Sequence, residues 1–234
     1  MSNSSAAARR VTAWLIALAV TIAVVAACYA WLDRPIAFFA HDELRNAALF
    51  AELPKTSEWF AALALIIVAV LGLRGLTGRP LSKPESVALL CALSLMAAAA
   101  VKSYLKFAFG RTWPETWIDN NASLMRDGVY GFNFFHGGRG YEAFPSGHTA
   151  AAFAVVTVLW MCYPRWRPLY SLIAAAVVVG LVGANFHFLS DIIAGAFIGA
   201  SAGWIAVLMW QAGGADVTGD ARRAIDDRGG KARG

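Results

Sequence analysis

The amino-acid sequence predicts an all-α polytopic membrane protein: a bundle of six transmembrane helices with an extracytoplasmic loop region. Of the 234 residues, 59% are hydrophobic and only 15% are charged, and the mean hydropathy is +0.55. This composition is too apolar for a water-soluble domain of this length. Six apolar segments have the length of bilayer spans. Because hydrocarbon offers no partner to the peptide groups, each of these segments must be helical.

The six predicted spans belong to one domain, residues 1–211. A bilayer core about 30 Å thick needs roughly 20 helical residues. The following segments qualify, some at the short end: Val11–Leu32, Glu58–Leu73, Ser86–Lys102, Gly147–Tyr163, Leu169–Phe186 and Ile192–Gln211. The tail, residues 212–234, is rich in glycine and charge and has no apolar face. We therefore expect the tail to be disordered in the cytoplasm.

Positive charge is concentrated at alternate ends of the predicted spans. It precedes the first span, joins the second to the third and the fourth to the fifth, and fills the tail. Outside the tail these residues are Arg9, Arg10, Arg74, Arg79, Lys83, Arg165 and Arg167. The pattern predicts that both termini are cytoplasmic and that the long loop Ser103–Ser146 is on the outer side. Because the net charge of +5 is not gathered on one face, we exclude a nucleic-acid partner.

Three glycines of the last span, Gly195, Gly199 and Gly203, recur at four-residue spacing. Such spacing leaves a smooth stripe along a helix, and a second helix can approach it closely. We interpret the stripe as a packing surface and assign it no chemical role.

The tetrapeptide Pro145–His148, "PSGH", stands directly before the fourth span. Ser146 is a favoured N-cap residue, so the helix is predicted to begin with Gly147 and His148 in its first turn. The first turn of a helix presents unpaired N–H groups that suit an anion, and Gly147 lets a phosphate approach the backbone. Taken alone, the tetrapeptide favours a simpler interpretation, a capped helix that carries a histidine at the membrane interface.

The segment "NFHFLSD", Asn185 to Asp191, lies between the fifth and sixth spans. His187 and Asp191 are four residues apart, within reach of each other on a helical turn. A carboxylate on one imidazole nitrogen fixes the tautomer and leaves the other nitrogen free to attack. Asp191 is also a candidate cap for the sixth span, and the two roles are compatible.

Two cations, Lys106 and Arg111, lie where the third span meets the outer surface. Lysines at such places often extend their ammonium group to the interface, which is our interpretation of the neighbouring Lys102. The combination of motifs carries more weight than each motif alone. Cations, a helix N-terminus with a histidine, and a His–Asp pair meet on one membrane face, and together they suit phosphoryl transfer.

At these residues the chain resembles the type-2 phosphatidic acid phosphatase superfamily of membrane lipid phosphatases. The family signature is Lys-x6-Arg-Pro, then Pro-Ser-Gly-His, then Ser-Arg-x5-His-x3-Asp. Here the second element is complete, the third keeps His187 and Asp191, and the first keeps Lys106 and Pro114. The motifs lie within residues 102–191, and the resemblance extends from about Ser86 to Gly203.

The chain departs from the signature at both arginines. Trp113 stands before the proline of the first element, and Gly180 and Leu181 stand where Ser-Arg is expected. Arginine holds a phosphate bidentately, so its absence matters. We hypothesise that Arg111, with Arg139 as a second candidate, takes over the clamp, and that Asn185 donates a hydrogen bond. Arg139 is equally interpretable as a solvated loop charge.

The resemblance implies a metal-independent and cofactor-independent mechanism. Lys106, Arg111 and the Ser146–Gly147 amides hold the terminal phosphate of a membrane lipid. His187, oriented by Asp191, attacks phosphorus and forms a phosphohistidine, and His148 protonates the leaving oxygen. Bacterial members act at the outer, periplasmic face of the inner membrane on undecaprenyl pyrophosphate, phosphatidylglycerol phosphate or lipid A. Nothing in the residues selects among these lipids, and nothing defines the oligomeric state.

Three alternatives stay open at this point. A lipid-to-lipid phosphotransferase needs the same residues, and a degenerate lipid-phosphate-binding member is suggested by the missing arginines. A haem or metal protein that uses His136, His148 and His187 is disfavoured, because their spacing fits no metal motif. The outer loop is rich in aromatic residues and is interpretable as an interfacial lid or as a self-packed cap.

Overall fold

The computed structural model describes residues 3–44, 57–78, 80–117 and 119–214. In these ranges the chain forms α-helices, joined by short π- and 3-10 turns, with isolated β-bridges and no β-strand. The α-helices are α1 Asn3–Ala27, α2 Asp33–Phe39, α3 Ser57–Leu76, α4 Lys83–Phe109, α5 Leu124–Asp127, α6 Gly147–Cys162, α7 Arg167–Gly183 and α8 Leu189–Ala212. The predicted all-α fold class is confirmed.

Four helical segments are long and apolar enough to cross a membrane: Ser5–Leu44, Lys83–Phe109, Pro164–Gly183 and Leu189–Ala212. Two further apolar helices, Ala62–Leu76 and Gly147–Cys162, are shorter. The count of six spans therefore stays a prediction. Most of the tail that we expected to be disordered, residues 215–234, lies outside the described residues.

The first helical segment continues past its predicted end at Leu32. A π-helical turn, Cys28–Leu32, leads from α1 into α2, which begins at Asp33. Pro35, in the first turn of α2, has no backbone N–H to donate to the preceding π-turn, and π-turns commonly mark such irregularities in a continuous helix. The extension carries Asp33, one residue past the predicted end of the first span, into the interior, where it is 0% exposed.

The third predicted span is also longer than expected, because α4 continues past Lys102 to Phe109. Ser82 and Glu85 form a capping box at its N-terminus, and Gly110, with φ 53°, ends it in the left-handed conformation. A Cβ at Gly110 would lie 1.9 Å from the carbonyl oxygen of Asn133, so both the conformation and the space require glycine. The outer loop therefore starts at Gly110, and Lys102 and Lys106 lie on the last two turns of a helix.

The glycine stripe packs α8 against α6, as the sequence predicts. A Cβ at Gly195, Gly199 or Gly203 would lie 2.4, 2.2 or 2.6 Å from a backbone carbonyl oxygen of α6 or of its N-cap. The two backbones are therefore in direct contact along three turns. This contact fixes the start of α6 beside the start of α8, where the PSGH and His-x3-Asp elements lie.

The outer loop forms a self-packed aromatic cap with an exposed tip. The rings of Phe132 and Phe144 lie 5.7 and 5.0 Å from that of Phe109, centroid to centroid. Phe134 and Phe135 at the tip are 64% and 69% exposed. The packed base of the loop over the helix ends fits the self-packed cap. The exposed aromatic side chains at its tip fit the interfacial lid, since they are free to meet a lipid interface.

Candidate active site

The N-terminus of α6 forms one wall of the candidate site. The Ser146 hydroxyl accepts a hydrogen bond from the Thr149 N–H, at 3.4 Å, which confirms the predicted N-cap. The Ser146 N–H donates to the backbone carbonyl of Asp191, at 3.0 Å. That amide is thus already engaged, contrary to the expectation that it holds phosphate. Gly147 keeps the first helical N–H, which has no partner within the helix.

The two histidines of the motifs come together at this end of the bundle. The centroids of the His148 and His187 rings are 5.9 Å apart. Phe186 lies against both, with its ring centroid 5.3 Å from that of His148 and 5.2 Å from that of His187. Two imidazoles, one in the first turn of α6 and one just before the start of α8, therefore line one site, which we call the pocket.

Asp191 caps α8 and lies beside His187, while its orienting role stays a prediction. Its Oδ2 atom lies 3.6 Å from His187 Nδ1, just beyond hydrogen-bonding distance. The same oxygen accepts a hydrogen bond from the Phe188 N–H at the start of α8, at 3.0 Å. Catalytic hydrogen bonds are often long in unliganded proteins and shorten when substrate binds. The carboxylate is therefore placed to cap the helix and to orient the imidazole.

The environment of His187 favours its neutral form. Burial, followed by the positive charge of Lys106, holds the pKa of His187 well below its ordinary value of 6.5. Both causes act against the imidazolium, because burial removes solvation and a nearby cation repels it. At neutral pH the ring therefore keeps an unprotonated nitrogen, as a nucleophile requires.

This shift predicts the acid side of the pH–rate profile. As pH falls, kcat/KM declines only when the lowered pKa of His187 is reached, so the acid limb lies below pH 6.5. In a Lys106→Met variant one cause of the shift is removed, and we expect the limb to move to higher pH. Profiles of kcat/KM for phosphate release, measured from about pH 4 to about pH 8 so that they cover both sides of the ordinary histidine pKa, test this. An acid limb above pH 6.5, or one unmoved in the variant, contradicts it.

Arg111 lies in the interior, where its side chain is 0% exposed. Its Nη2 atom lies 2.8 Å from Asp33 Oδ2, and its Nη1 atom lies 2.5 Å from Asp191 Oδ1. Ser190 joins this network, because its hydroxyl accepts from Arg111 Nη1 at 2.6 Å and also bonds Asp33. The rings of Tyr29, Tyr130, Phe132 and Phe188 surround the guanidinium, with centroids between 4.3 and 5.3 Å from Cζ.

This geometry does not support the phosphate-clamp role expected of Arg111. Both Nη atoms of its guanidinium are already held by carboxylates, those of Asp33 and Asp191. Burial disfavours the charged guanidinium, but the carboxylates of Asp191 and Asp33 outweigh it and raise the pKa of Arg111. Arg111 instead links the first helical segment to the start of α8 and holds Asp191 from the side opposite His187.

Trp113, which replaces the first family arginine, packs beside the predicted nucleophile. Its ring centroid lies 5.1 Å from that of His187, and the Lys106 ammonium lies 5.6 Å from the Trp113 ring centroid. The indole N–H donates to the backbone carbonyl of Arg139, at 2.9 Å. The indole therefore fills the volume between the lysine and the histidine and restricts how the imidazole can rotate.

The other two replacement candidates are also placed away from a clamp role. Arg139 has an exposed side chain, as in the solvated-charge interpretation, and its carbonyl supports Trp113. Asn185 is buried, and its side-chain amide donates to Glu115 Oε1 at 2.9 Å. The same Glu115 oxygen lies 2.5 Å from His41 Nδ1. Asn185 therefore belongs to a Glu115–His41 cluster that sequence reasoning did not foresee.

Two lysines face the pocket where one was expected. Lys106 is 15% exposed, and its Nζ atom lies 3.9 Å from Glu142 Oε2. Lys102 lies one turn earlier on the same face of α4, half-buried against Gly147. The i, i+4 spacing of the two lysines is visible in the sequence, but the predicted third span ends at Lys102.

The hypothesis of a haem or metal centre on three histidines finds no geometric support. His136 is exposed, and its ring packs on Tyr141 with centroids 3.9 Å apart, whereas His148 and His187 share the pocket. Within the described ranges no group of three or more His, Cys, Asp or Glu side chains is arranged to hold a metal ion.

The chain belongs to the PAP2 superfamily, whose family model matches residues 87–214. The matched region contains the two lysines, the PSGH element and the His-x3-Asp pair, and it ends with α8. The family assignment made from the motifs is thereby confirmed. The replacement of both signature arginines remains an inference from the motif spacing.

Curated relatives that match the chain carry the name lipid A 1-phosphatase. One from Rhizobium etli is 31% identical over 117 residues, covering 49% of this chain and 45% of its own length. One from Porphyromonas gingivalis is 27% identical over 132 residues, covering 50% of this chain and 30% of its own length. The chain therefore spans less than half the length of these relatives. The crystal structure of Aquifex aeolicus LpxE aligns with a TM-score of 0.41 and 23% identity, over 71% of this chain and 97% of that one.

Proposed function

We propose that this protein is an integral membrane phosphatase that removes a terminal phosphate from a lipid phosphate or lipid pyrophosphate through a phosphohistidine on His187. The observation that carries the proposal is the convergence of His148 and His187, with ring centroids 5.9 Å apart, beside Lys106 and the N-terminus of α6. A nucleophile, a proton donor and a source of positive charge are the groups that phosphoryl transfer requires.

The first half of the reaction forms the phosphoenzyme. Lys106 and the Gly147 N–H hold the non-bridging oxygens of the phosphate. A neutral nitrogen of His187 attacks phosphorus in line, a P–N bond forms, and the bond from phosphorus to the lipid oxygen breaks. His148 gives its proton to that departing oxygen. Asp191 stabilises the positive charge that develops on the His187 ring.

The second half releases inorganic phosphate. His148, now neutral, takes a proton from a water molecule as the water attacks phosphorus. The P–N bond breaks, His187 regains its neutral form, and His148 regains the proton it gave up. No group in this cycle requires a redox change, and the charge is stabilised by cations and an amide.

The proposed proton transfer predicts a dependence on the leaving group. We expect His148→Ala to lower turnover of a lipid phosphate by about 10²–10⁴-fold, the usual contribution of a positioned acid. In the first half of the reaction, the loss is expected to be much smaller with a nitrophenyl phosphate, whose leaving group needs no proton. Single-turnover release of the leaving group, the lipid alcohol or the nitrophenolate, measures this half for both substrates, with exposed His136→Ala as a matched control. Equal losses on the two substrates contradict the assignment of His148 as the acid.

A lipid substrate is supported by an apolar groove of about 730 Å³ between α1, α4 and α8. Its two serine hydroxyls are engaged within the protein: Ser201 accepts from Trp14, and Ser94 donates to the Cys91 carbonyl. The groove reaches Val101 and Leu105, on the turns of α4 that carry the two lysines. A hydrocarbon chain in the groove places its headgroup beside the pocket.

Among the lipids considered, the names of the matching relatives favour lipid A, whose terminal phosphate we propose as the first substrate to test. The location is proposed to be a bacterial inner membrane with cytoplasmic termini, because positive charge flanks one side of the spans. The pocket, at the other end of α4 from Lys83, then faces the periplasm.

The deciding experiment is a panel of phosphate-release assays on purified protein in detergent. Lipid A, undecaprenyl pyrophosphate and phosphatidylglycerol phosphate are each assayed with and without EDTA. We expect release from at least one lipid, undiminished by EDTA and inhibited by vanadate. Transfer of label to an added lipid alcohol, with little free phosphate, identifies a phosphotransferase. Absence of both release and transfer for every lipid contradicts the proposal and favours a non-catalytic member.

A further inference from the structure

The signature arginines have no direct replacement among the arginines near the pocket. Their positions are taken by Trp113 and Leu181, which are 3% and 2% exposed. Arg111 is committed to two buried carboxylates, and Arg139 extends into solvent. A phosphate nevertheless carries more negative charge than Lys106 alone neutralises, so the pocket needs a second cation.

Lys102 is positioned to be that cation. A Cβ built on Gly147 would lie 3.1 Å from Lys102 Cδ and 3.6 Å from Lys102 Nζ. The ammonium group therefore lies against Gly147, the first residue of α6, whose N–H has no partner within the helix. The absence of a side chain at Gly147 is what makes room for it.

The charge of Lys102 reaches the predicted nucleophile. Burial is the main cause of the lowered pKa of His187, and the charges of Lys106, Arg111 and Lys102 add to it in that order. Lys106 has the Glu142 carboxylate at 3.9 Å, but in the part of the chain that the structure describes no carboxylate lies within ion-pair distance of Lys102. A half-buried ammonium without a carboxylate partner is costly unless an anion joins it.

We propose that Lys102 binds a non-bridging oxygen of the transferred phosphate and, with Lys106 and the Gly147 N–H, replaces the arginine clamp of the family. This inference rests on the proposed function and names a residue that the family signature does not contain. The two lysines are four residues apart, about 6 Å along the helix axis. Their ammonium groups therefore approach one phosphate from two directions, as point charges and not as a planar fork.

The test compares Lys102→Met with Lys102→Arg, and uses Lys83→Met at the opposite end of α4 as a matched control. We expect Lys102→Met to lower kcat/KM by about 10²-fold, the usual loss for one group that stabilises transition-state charge. Lys102→Arg is expected to recover most of this loss, and Lys83→Met to behave as wild type. Because Lys102 is proposed to hold the transferred phosphate, we expect Lys102→Met to lower kcat/KM equally for monoester and pyrophosphate lipids.

Orthovanadate binding separates this inference from the proposed function, because it needs no turnover. We expect Lys102→Met to weaken vanadate binding at least about tenfold, the loss of one charged hydrogen bond, with unchanged thermal unfolding. We also expect Gly147→Ala, which crowds the lysine, to cost less in the Lys102→Met background than in wild type.

The outcomes are distinguishable. In one outcome, wild-type protein binds vanadate, Lys102→Met weakens that binding, and no phosphate is released from any lipid. The proposed function is then wrong, and the role of Lys102 in binding phosphate is supported. Wild-type protein that releases phosphate, while Lys102→Met keeps its kcat/KM and vanadate affinity, overturns the clamp alone. A loss confined to pyrophosphate lipids also overturns it, because Lys102 then binds the second phosphate. An ammonium that merely extends to the interface predicts no change in either measurement.

Discussion

His187→Ala is expected to abolish phosphate release, with a loss of about 10⁴-fold or more, because it removes the proposed nucleophile. The imidazole is almost fully buried between Trp113 and Phe186. Its removal leaves a cavity of the size of one ring and little opportunity for a neighbour to substitute. Residual release then reflects binding and charge stabilisation alone.

The measurement is single-turnover release of labelled phosphate by the purified variant, compared with wild type. The exposed His136→Ala variant controls for preparation, and thermal unfolding controls for the fold. A His187→Ala enzyme that keeps more than about one-tenth of the wild-type rate contradicts covalent catalysis by this residue, since general acid–base help alone is worth at least about 10²-fold.

The second large effect is expected on stability. Arg111→Met leaves the carboxylates of Asp33 and Asp191 buried without their cation, and removal of one partner from a buried ion pair typically costs about 3–5 kcal/mol. The surrounding aromatic rings add to this loss, because they pack on the guanidinium and gain from its charge. We therefore expect the variant to unfold at a much lower temperature, whether or not substrate is present.

Two further variants separate a structural role from a clamp role for Arg111. Neutralising one carboxylate, with Asp33→Asn in the Arg111→Met background, should restore part of the lost stability. Arg139→Met, the matched control on the exposed arginine, should change the free energy of unfolding by less than about 0.5 kcal/mol. An Arg111→Met protein with wild-type stability but weakened vanadate binding restores the original clamp interpretation.

The sequence predicts the parts of this site that depend on local pattern. The N-cap at Ser146, the helix that follows it and the close approach along Gly195, Gly199 and Gly203 are all found. Each depends on residues a few positions apart, whose spacing is a direct consequence of helical geometry. The meeting of the PSGH element with the His-x3-Asp pair follows from that packing.

The parts that the sequence does not predict depend on distant pairs. Arg111 lies 78 residues from Asp33 along the chain, and a single sequence gives no signal that joins them. Hydropathy places the end of a span where charge begins, so it ended the first segment at Leu32 and the third at Lys102. The ion pair with Arg111 lets the helix continue through Asp33 inside the protein. Because α4 also continues to Phe109, Lys102 lies within the helix and beside Gly147, not at the end of the span.

The central claim is tested most directly by trapping the covalent intermediate. Wild-type protein is mixed with lipid substrate labelled in its terminal phosphate and quenched within one turnover. We predict label on the protein that is stable in base, labile in acid and confined to the peptide that contains His187. Rapid phosphate release with no label on that peptide, or label on another residue, contradicts the account.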